Sequence, residues 1–297
     1  VLLKPDKEGL TADEAAEMAP QQGWLLEVGH EALADASLPP ASLAGTRTGV
    51  YVGAASIDQA TVNFGSGNRA GVFTSSGAGM AILANRLSYT LDLAGPSLSL
   101  DTACSSSLTA LHYAVRDLRS GEADMALVAG TNVLTNPVIT ASFAEAGVLA
   151  PEGRCKPYDQ GAEGYVRSEG AVVLVLARAG LAAEHGHRVW AHIAGTGIGH
   201  GGKAPHLLAP RANRQAQAIG RALADAGLRA EQVSWVQAHG TGTKAGDRIE
   251  AKGIAHALSR GAPIAVGSVK STLGHLEGAA GMVGVMAAAL ALHHGQI

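Results

Sequence analysis

The chain has 297 residues, of which 47% are hydrophobic and 16% are charged, and its formal net charge is −3. These proportions predict a sizeable core, and a weakly acidic chain without a run of Lys or Arg has no electrostatic footprint for nucleic acids. No apolar stretch reaches the length of a membrane span without a glycine or a charge, so we expect no membrane partner. The two cysteines, Cys104 and Cys155, argue against a disulfide framework and indicate a reducing, cytoplasmic setting.

Hydrophobic periodicity divides the first part of the chain into alternating helices and strands. Helices are predicted over 12–36, 77–92 and 105–119, and strands over 49–53, 96–102, 125–130 and 171–176. Residues 144–170 are polar and contain many turn-forming residues, which predicts a long loop.

The same alternation continues in the second part of the chain. Helices are predicted over 177–186, 211–226 and 249–258 and from about residue 278, and strands over 189–196, 233–238 and 264–269. Apolar strands that alternate with helices predict an α/β protein whose sheets are covered on both faces. We expect an N-terminal half, 1–180, that carries the reactive cysteine and a C-terminal half, 181–297, that carries two histidines.

Cys104 follows a predicted strand and precedes a predicted helix, in the segment Asp101-Thr102-Ala103-Cys104-Ser105-Ser106-Ser107. A helix N-terminus carries partial positive charge and unpaired N–H groups, which favour a thiolate over a thiol. A lone cysteine is more often a buried and inert hydrophobe, and Cys155 in its polar loop fits that description. The strand, turn and helix around Cys104 instead predict a nucleophile.

His239 ends a predicted strand and opens the segment His239-Gly240-Thr241-Gly242-Thr243. The glycines permit a tight turn and the close approach of a ligand, and the threonines offer hydroxyl groups. The alternative is a loop histidine that is bonded only to the backbone. Asp247 and Glu250 follow, and acidic residues at this point predict that they cap the next helix.

A second histidine lies in Lys270-Ser271-Thr272-Leu273-Gly274-His275-Leu276-Glu277. A lone buried charge is costly, so we expect Lys270 and Glu277 to pair and to hold His275 in one orientation. The alternative is a structural ion pair beside a histidine without a role. A cysteine with two distant histidines is a set of groups that serves covalent acyl chemistry.

Other ligand classes find little support in the sequence. No Cys and His spacing fits a zinc site, so we predict no metal centre. The glycine-rich run from Gly197 to Gly202 lacks the placement of a dinucleotide fingerprint and the lysine of a P-loop, so we predict no nucleotide site. Among the remaining histidines only His200, within this run, has a comparable setting.

The segments around Cys104, His239 and His275 resemble the three active-site motifs of β-ketoacyl synthases, in order and at family-like separations. The resemblance is closest to ketosynthase domains of modular type I polyketide synthases, and it covers nearly the whole chain. Further segments similar to that family are Ala84-Asn85-Arg86-Leu87-Ser88-Tyr89, Pro157-Tyr158-Asp159 and Gly164-Tyr165-Val166-Arg167.

The resemblance implies a thiolase-like fold, in which two similar βαβαβαββ halves form five αβαβα layers. It also implies a decarboxylative Claisen condensation. Cys104 would accept an acyl group as a thioester, a malonyl-type extender would lose CO₂, and the resulting enolate would attack that thioester. His239 and His275 would meet Cys104 around one cavity and donate N–H groups to the enolate oxygen.

The same resemblance implies the supporting residues and partners. Lys270 and Glu277 would orient His275, and Thr241 and Thr243 would contact a pantetheine arm. No cofactor is implied to bind directly, because an acyl carrier protein carries the substrates on its phosphopantetheine. Besides that carrier, the implied partners are a second copy of the chain, a flanking acyltransferase and other synthase domains.

Two alternatives and one expectation about the ends remain. The chain could be the ketosynthase of a fatty acid synthase, whose motifs are nearly the same, or a catalytically silent ketosynthase-like scaffold. Cys104 argues against initiation variants that carry Gln there, and His239 argues against non-elongating variants.

The family's first strand region and its C-terminal Gly-Phe-Gly-Gly motif are absent, so we expect a sequence truncated at both ends.

Overall fold

The computed structural model describes residues 10–55, 58–65, 70–258, 261 and 263–297, which form two compact units. The first unit contains the described residues of Val1–Thr140, together with Ser168–Val189 and Leu276–Val283, and the second contains those of Ala141–Arg167, Trp190–His275 and Gly284–Ile297. Each unit takes its residues from separate stretches of the chain, and the two halves drawn from the sequence stay a prediction.

A four-stranded mixed sheet forms the framework of the first unit. Its strands are β1 (Thr48–Gly53), β2 (Ser97–Leu100), β3 (Met125–Asn132) and β4 (Gly170–Ala177). Their spatial order in the sheet is β2-β1-β3-β4. β1 runs parallel to β2 and β3, and β4 runs antiparallel to β3. Every residue of β1 is buried, as expected for an apolar strand inside a sheet that is covered on both faces.

Helices alternate with the strands, which confirms the α/β class. The helices are α1 (Ala12–Glu17), α2 (Pro20–Asp35), α3 (Asp58–Asn63), α4 (Thr74–Ala78), α5 (Met80–Thr90), α6 (Ser106–Ser120), α7 (Pro137–Glu145), α8 (Ala179–Glu184), α9 (Ala212–Ala226), α10 (Lys244–Ala257), α11 (Lys270–Leu273) and α12 (Ala280–His294). Short 3₁₀ turns cover Pro40–Leu43, Ala230–Gln232 and Glu277–Ala279. None of the helices in the described part of the chain is long and apolar enough to cross a bilayer.

The core of the first unit lies between its sheet and the helices α2 and α5. Leu25, Leu87, Val50 and Val52 are fully buried members of one apolar cluster. Val50 and Val52 are two residues apart on β1 and therefore point to the same face of the sheet. Tyr51 lies between them, and its hydroxyl donates to the Asp117 carboxylate of α6 at 2.7 Å, so α6 is fixed to the other face.

The second unit contains a smaller parallel pair of strands, β5, Trp235–Gln237, and β6, Ala265–Gly267. Its apolar cluster is built on Ala238, Ile254 and Leu258, with Ile219 and Leu223 of α9 packed against it. The helical spacing of these residues on α9 and α10 explains why both helices turn one apolar side inward.

Several sequence-based boundaries were wrong, and a proline and a glycine explain two of them. The helix over 12–36 is two helices, because Pro20 has no N–H and forces Ala19 into an extended conformation with ψ 136°. The helix over 77–92 is interrupted at Gly79, which is extended with ψ 126°. Within the long loop predicted from residue 144, the first residues instead complete α7, Pro137–Glu145.

The strand predicted over 189–196 is also wrong, since these described residues form no strand. The end of this stretch instead lies against α9. The Thr196 N–H donates to the Asp225 carboxylate at 2.8 Å, and a Cβ added to Gly195 would lie 2.5 Å from the Ala226 nitrogen. Glycine at 195 therefore lets this segment pack directly on the helix backbone.

Candidate active site

Cys104 lies in the tight connection between β2 and α6, where Ser105 is the N-cap residue of α6. The connection turns sharply because Ala103 has a left-handed backbone conformation with φ 55°, which is uncommon for a residue other than glycine. The Ser106 hydroxyl donates to the Ala103 carbonyl at 2.6 Å and accepts the Thr102 N–H at 2.9 Å. Side-chain hydrogen bonds thus hold the half-buried cysteine just before the helix start, as the sequence predicted.

The start of α6 lies unusually close to the end of β1. A Cβ added to Gly53 would lie only 2.2 Å from the Ser107 nitrogen, so no larger residue fits there. The Ser107 hydroxyl in turn accepts the Met282 N–H at 3.1 Å. These contacts set the position of the turn that carries Cys104.

In the second unit, His239 and His275 lie side by side. Their ring centroids are 5.3 Å apart and the ring planes are nearly perpendicular, at 86°. His275 is 1% exposed, whereas His239 keeps an exposed surface. The structure therefore brings together two imidazoles that are 36 residues apart in the sequence.

The loop that begins at His239 is held by one carboxylate. Glu250 of α10 accepts the His239 N–H at 2.7 Å and the Gly240 N–H at 2.8 Å. It also accepts the Tyr158 hydroxyl at 2.8 Å. Three donors to a single carboxylate fix the direction in which the chain leaves β5, and hence the position of the His239 side chain.

A second acidic residue completes this arrangement. Asp247 accepts the Tyr158 N–H at 2.7 Å and the Gly242 N–H at 3.2 Å. The expectation that both acids cap α10 was wrong for Glu250, because α10 begins at Lys244 and leaves Glu250 in its interior. Tyr158 was noted only as part of a family-like segment, and no local pattern pointed to its contact with residues about ninety positions further on.

His275 lies in an aromatic and cationic environment. Its backbone N–H donates to the Val166 carbonyl at 2.7 Å, and its ring lies 5.1 Å from the Tyr165 ring at 62°. The Arg167 guanidinium lies 5.1 Å from the centre of the Phe143 ring. Backbone pairing and ring contacts together restrict the orientation of this histidine.

The surroundings of both histidines disfavour their protonated forms. Although His239 has an exposed surface, desolvation around its ring and then the Lys270 charge lower its pKa from 6.5 to about 4, against an opposing effect of Glu250. Desolvation, followed by His239, Lys270 and Arg167, lowers the pKa of His275 to about 2. Both rings are therefore neutral near neutral pH, and each carries one N–H donor.

The other predicted residues lie as follows. Lys270 is the first residue of α11 and is 5% exposed, and Glu277 is 8% exposed in a 3₁₀ turn. The Thr241 and Thr243 hydroxyl oxygens are 3.1 Å apart, and Thr243 precedes α10 without capping it through its side chain. The pairing of Lys270 with Glu277 stays a prediction.

Cys155 has a structural environment. It is buried, and its sulfur accepts the Val166 N–H at 3.2 Å. The thiol thus supports the same strand-like segment that receives the His275 N–H.

Family models match almost the whole chain. The model for "Beta-ketoacyl synthase, N-terminal domain" matches residues 3–182, and the model for "Beta-ketoacyl synthase, C-terminal domain" matches residues 190–297.

Curated relatives are polyketide synthases. The mycocerosic acid synthase-like polyketide synthase of Mycolicibacterium smegmatis is 41% identical over 99% of this chain, which spans 14% of that protein. Erythronolide synthase EryA3 of Saccharopolyspora erythraea is 42% identical over 97% of this chain, which spans 9% of that protein. The chain therefore corresponds to a small part of the relatives that it matches.

Solved structures of similar fold are ketosynthases. The ketosynthase from module 6 of the bacillaene synthase from Bacillus subtilis 168 has a TM-score of 0.89 and 36% identity, covering 98% of this chain and 51% of that one. The oxazolomycin ketosynthase domain OzmH KS7 from Streptomyces albus JA3453 has the same TM-score, identity and coverage. These matches identify the thiolase-like fold. The chain belongs to the β-ketoacyl synthase family, whose members are condensing acyltransferases, and within it to the ketosynthase domains of modular polyketide synthases.

Proposed function

We propose that this chain carries the reactive groups of a ketosynthase that lengthens acyl chains by decarboxylative Claisen condensation. The observation that carries the proposal is the adjacent, neutral pair His239 and His275 within a chain of the β-ketoacyl synthase family. Neutral imidazoles can donate N–H groups to a developing oxyanion without holding a counter-charge in the resting state.

The first half of the reaction is acyl transfer to Cys104. The thiolate attacks the carbonyl carbon of an acyl thioester, a new carbon–sulfur bond forms, and the phosphopantetheine sulfur leaves and takes up a proton. The position of Cys104 just before α6 supports this role, because a helix N-terminus stabilises negative charge on the sulfur.

The second half is condensation. A malonyl-type thioester loses CO₂, and the electrons of the broken carbon–carbon bond form an enolate whose oxygen receives N–H groups of His239 and His275. The enolate carbon then attacks the acyl carbonyl, and Cys104 leaves as a thiolate. Lys270 and Glu277 orient His275 in this proposal, and Thr241 and Thr243 bind the pantetheine arm.

The proposal includes the partners that this chemistry needs. An acyl carrier protein presents both substrates on phosphopantetheine, and flanking synthase domains, including an acyltransferase, load it in the cytoplasm. A homodimer is supported by β2, which lies at an edge of its sheet with Leu98 41% exposed, because an exposed strand edge offers unpaired backbone groups to a second copy.

Acyl loading tests the proposal directly. The chain is incubated with an acyl-pantetheine thioester, and its intact mass is measured. One acyl group is expected on the wild type and on Cys155→Ala, and none on Cys104→Ala. A wild-type thiol that stays unmodified at saturating thioester would instead support a catalytically silent scaffold.

Substrate choice distinguishes a polyketide ketosynthase from the remaining alternative enzyme, the ketosynthase of a fatty acid synthase. A ketosynthase of a fatty acid synthase would load and extend only saturated acyl groups. Extension of an acyl thioester that keeps a β-hydroxyl or a double bond supports the polyketide assignment, which the curated relatives also favour.

A further inference from the structure

An arginine that the proposed reaction does not use is buried next to His275. Arg167 is 9% exposed, and its backbone forms an isolated parallel bridge with that of His275. The His275 N–H donates to the carbonyl of the preceding residue, Val166, at 2.7 Å. Burial of a charge is costly unless the surrounding groups compensate it. A cation in this place therefore needs stabilising contacts, and its cost points to a role.

Phe143, near the end of α7, supplies one such contact. The Arg167 guanidinium carbon lies over the Phe143 ring, 5.1 Å from its centre, within the range in which an aromatic face attracts a cation. Phe143 is itself half-buried, and desolvation strengthens this attraction. The aromatic face thus fixes the far end of the Arg167 side chain, while the backbone bridge fixes its near end.

Tyr165 connects this pair to the His275 ring. Its ring centroid lies 6.4 Å from that of Phe143 and 5.1 Å from that of His275, in edge-to-face contacts at 62°, an arrangement that aromatic pairs prefer. Tyr165 and Arg167 are two residues apart in the strand-like segment, so their side chains leave it on the same side. We call Phe143, Tyr165 and Arg167 the aromatic–arginine cluster.

We propose that Arg167 is a positioning residue of the candidate site, which holds the His275 ring beside His239 by way of the aromatic–arginine cluster. The inference rests on the proposed condensation, because it concerns a histidine that donates to the enolate oxygen. Such a donor is effective when it is held in place before the charge develops. Phe143 anchors Arg167, the Arg167 backbone lies beside that of His275, and the Tyr165 ring limits rotation of the imidazole.

The charge of Arg167 adds an electrostatic effect on the same ring. Desolvation lowers the pKa of His275 most, and three neighbours lower it further, namely His239, Lys270 and Arg167. A guanidinium keeps its charge throughout the pH range in which proteins are folded. Arg167 thus favours the neutral ring with a single N–H, which the proposed reaction uses. Other ionisable groups near His275 are Tyr165, in ring contact with it, and Glu277, two positions further along the chain.

The test compares variants of the whole chain by three measurements. NMR titration of the ring carbons gives the pKa of His275, whose signal is identified by its loss in His275→Ala. Intact mass measures acyl loading of Cys104, and CO₂ release from a malonyl thioester measures decarboxylation. None of the three measurements needs a completed condensation.

Arg167→Met removes the charge and keeps an unbranched apolar side chain. It should raise the pKa of His275 and slow CO₂ release about tenfold to 100-fold, as expected for a misplaced donor, while acyl loading stays unchanged. Arg167→Lys keeps the charge but not the planar group on Phe143, so it should restore the pKa of His275 and only part of the CO₂ release. Phe143→Leu should resemble Arg167→Lys, and it carries the same test if Arg167→Met does not fold.

Arg86→Met is the matched control, because Arg86 is also buried, at 7% exposure, and pairs with Glu14 in the first unit. It should lower stability and leave both the pKa of His275 and the ratio of CO₂ release to loading unchanged. If it does not fold, Arg178→Met replaces it, since that side chain is 44% exposed.

Two results would overturn the role of Arg167. One is a folded Arg167→Met variant with the pKa of His275 and the CO₂ release of the wild type. The other is a loss of CO₂ release that the loss of acyl loading equals. Absence of both reactions in the wild type would instead overturn the proposed function, and the NMR titration would still show whether Arg167 acts on His275.

Discussion

The carboxylate of Glu250 accepts the backbone N–H of His239 at 2.7 Å, so a residue inside a helix positions a loop histidine through its main chain. The same carboxylate raises the pKa of His239, opposing the larger lowering effects of desolvation and of Lys270. Glu250 thus has a structural and an electrostatic effect on His239, and the two effects can be measured separately.

Replacement of Glu250 by Gln should change both effects, and each has its own readout. The amide loses the negative charge and keeps only one of the two oxygens that accept the His239 N–H on one side and the Gly240 N–H and Tyr158 hydroxyl on the other. We expect the free energy of unfolding to fall by about 1–3 kcal/mol and the pKa of His239 to fall further. Tyr158→Phe, which removes one donor, should change stability less. An unchanged pKa of His239 in Glu250→Gln would contradict the electrostatic assignment.

The two imidazoles of the candidate site should stay neutral under mildly acidic conditions. In the unfolded chain histidine binds a proton near pH 6.5, whereas desolvation and Lys270 lower the pKa of His239 to about 4. Burial, His239 and Lys270 lower the pKa of His275 to about 2. The folded state therefore binds fewer protons, and its stability should decrease as pH falls below about 6.5, by at most about 1.4 kcal/mol per pH unit for the buried His275 and by less for His239, because solvent screens its exposed surface. NMR titration of the ring carbons measures both pKa values, and half-protonation of His275 near 6.5 would refute the assignment.

Lys270 should act on both imidazoles through its charge. Because that charge lowers the pKa of His239 and of His275, Lys270→Met should raise both values, and Lys270→Arg should leave them close to the wild type. The matched pair distinguishes a charge effect from a packing effect, since both variants change the shape of a buried side chain. A similar shift in both variants would indicate packing alone.

His275→Ala should separate the two halves of the proposed reaction. Loss of one N–H donor to the enolate oxygen should slow decarboxylation about 100-fold or more. The rate of acyl loading of Cys104 should stay nearly unchanged. Release of CO₂ from a malonyl thioester measures the first process, and intact mass measures the second. If both fall by the same factor, His275 does not have the assigned role.

The left-handed conformation of Ala103 should make this position sensitive to branching. With φ 55°, Ala103→Val should destabilise the chain by about 1–2 kcal/mol, because a β-branched side chain clashes in that region. Ala103→Gly adopts the conformation without strain and should unfold at an equal or higher urea concentration. A valine variant as stable as the wild type would show that the turn before Cys104 relaxes.

Local patterns in the sequence were sufficient to predict the structure around residues that lie within a few positions of one another. The apolar stretches before and after Cys104 predicted β2, the turn and α6, because strand and helix periodicity are encoded over about ten residues. The glycines and threonines after His239 likewise predicted a tight loop at the end of β5. These same segments carried the family resemblance that the comparisons confirmed.

The tertiary structure decided which distant groups meet, although the family resemblance had already implied that His239 and His275 do so. The contacts of Glu250 with Tyr158 and of His239 with His275 join residues far apart in the sequence, and periodicity contains no information on such pairs. Residues 189–196 alternate like a strand, but the end of this segment packs on α9. Alternation fixes only which side chains share a face, whereas a strand also requires a neighbour that the fold must supply.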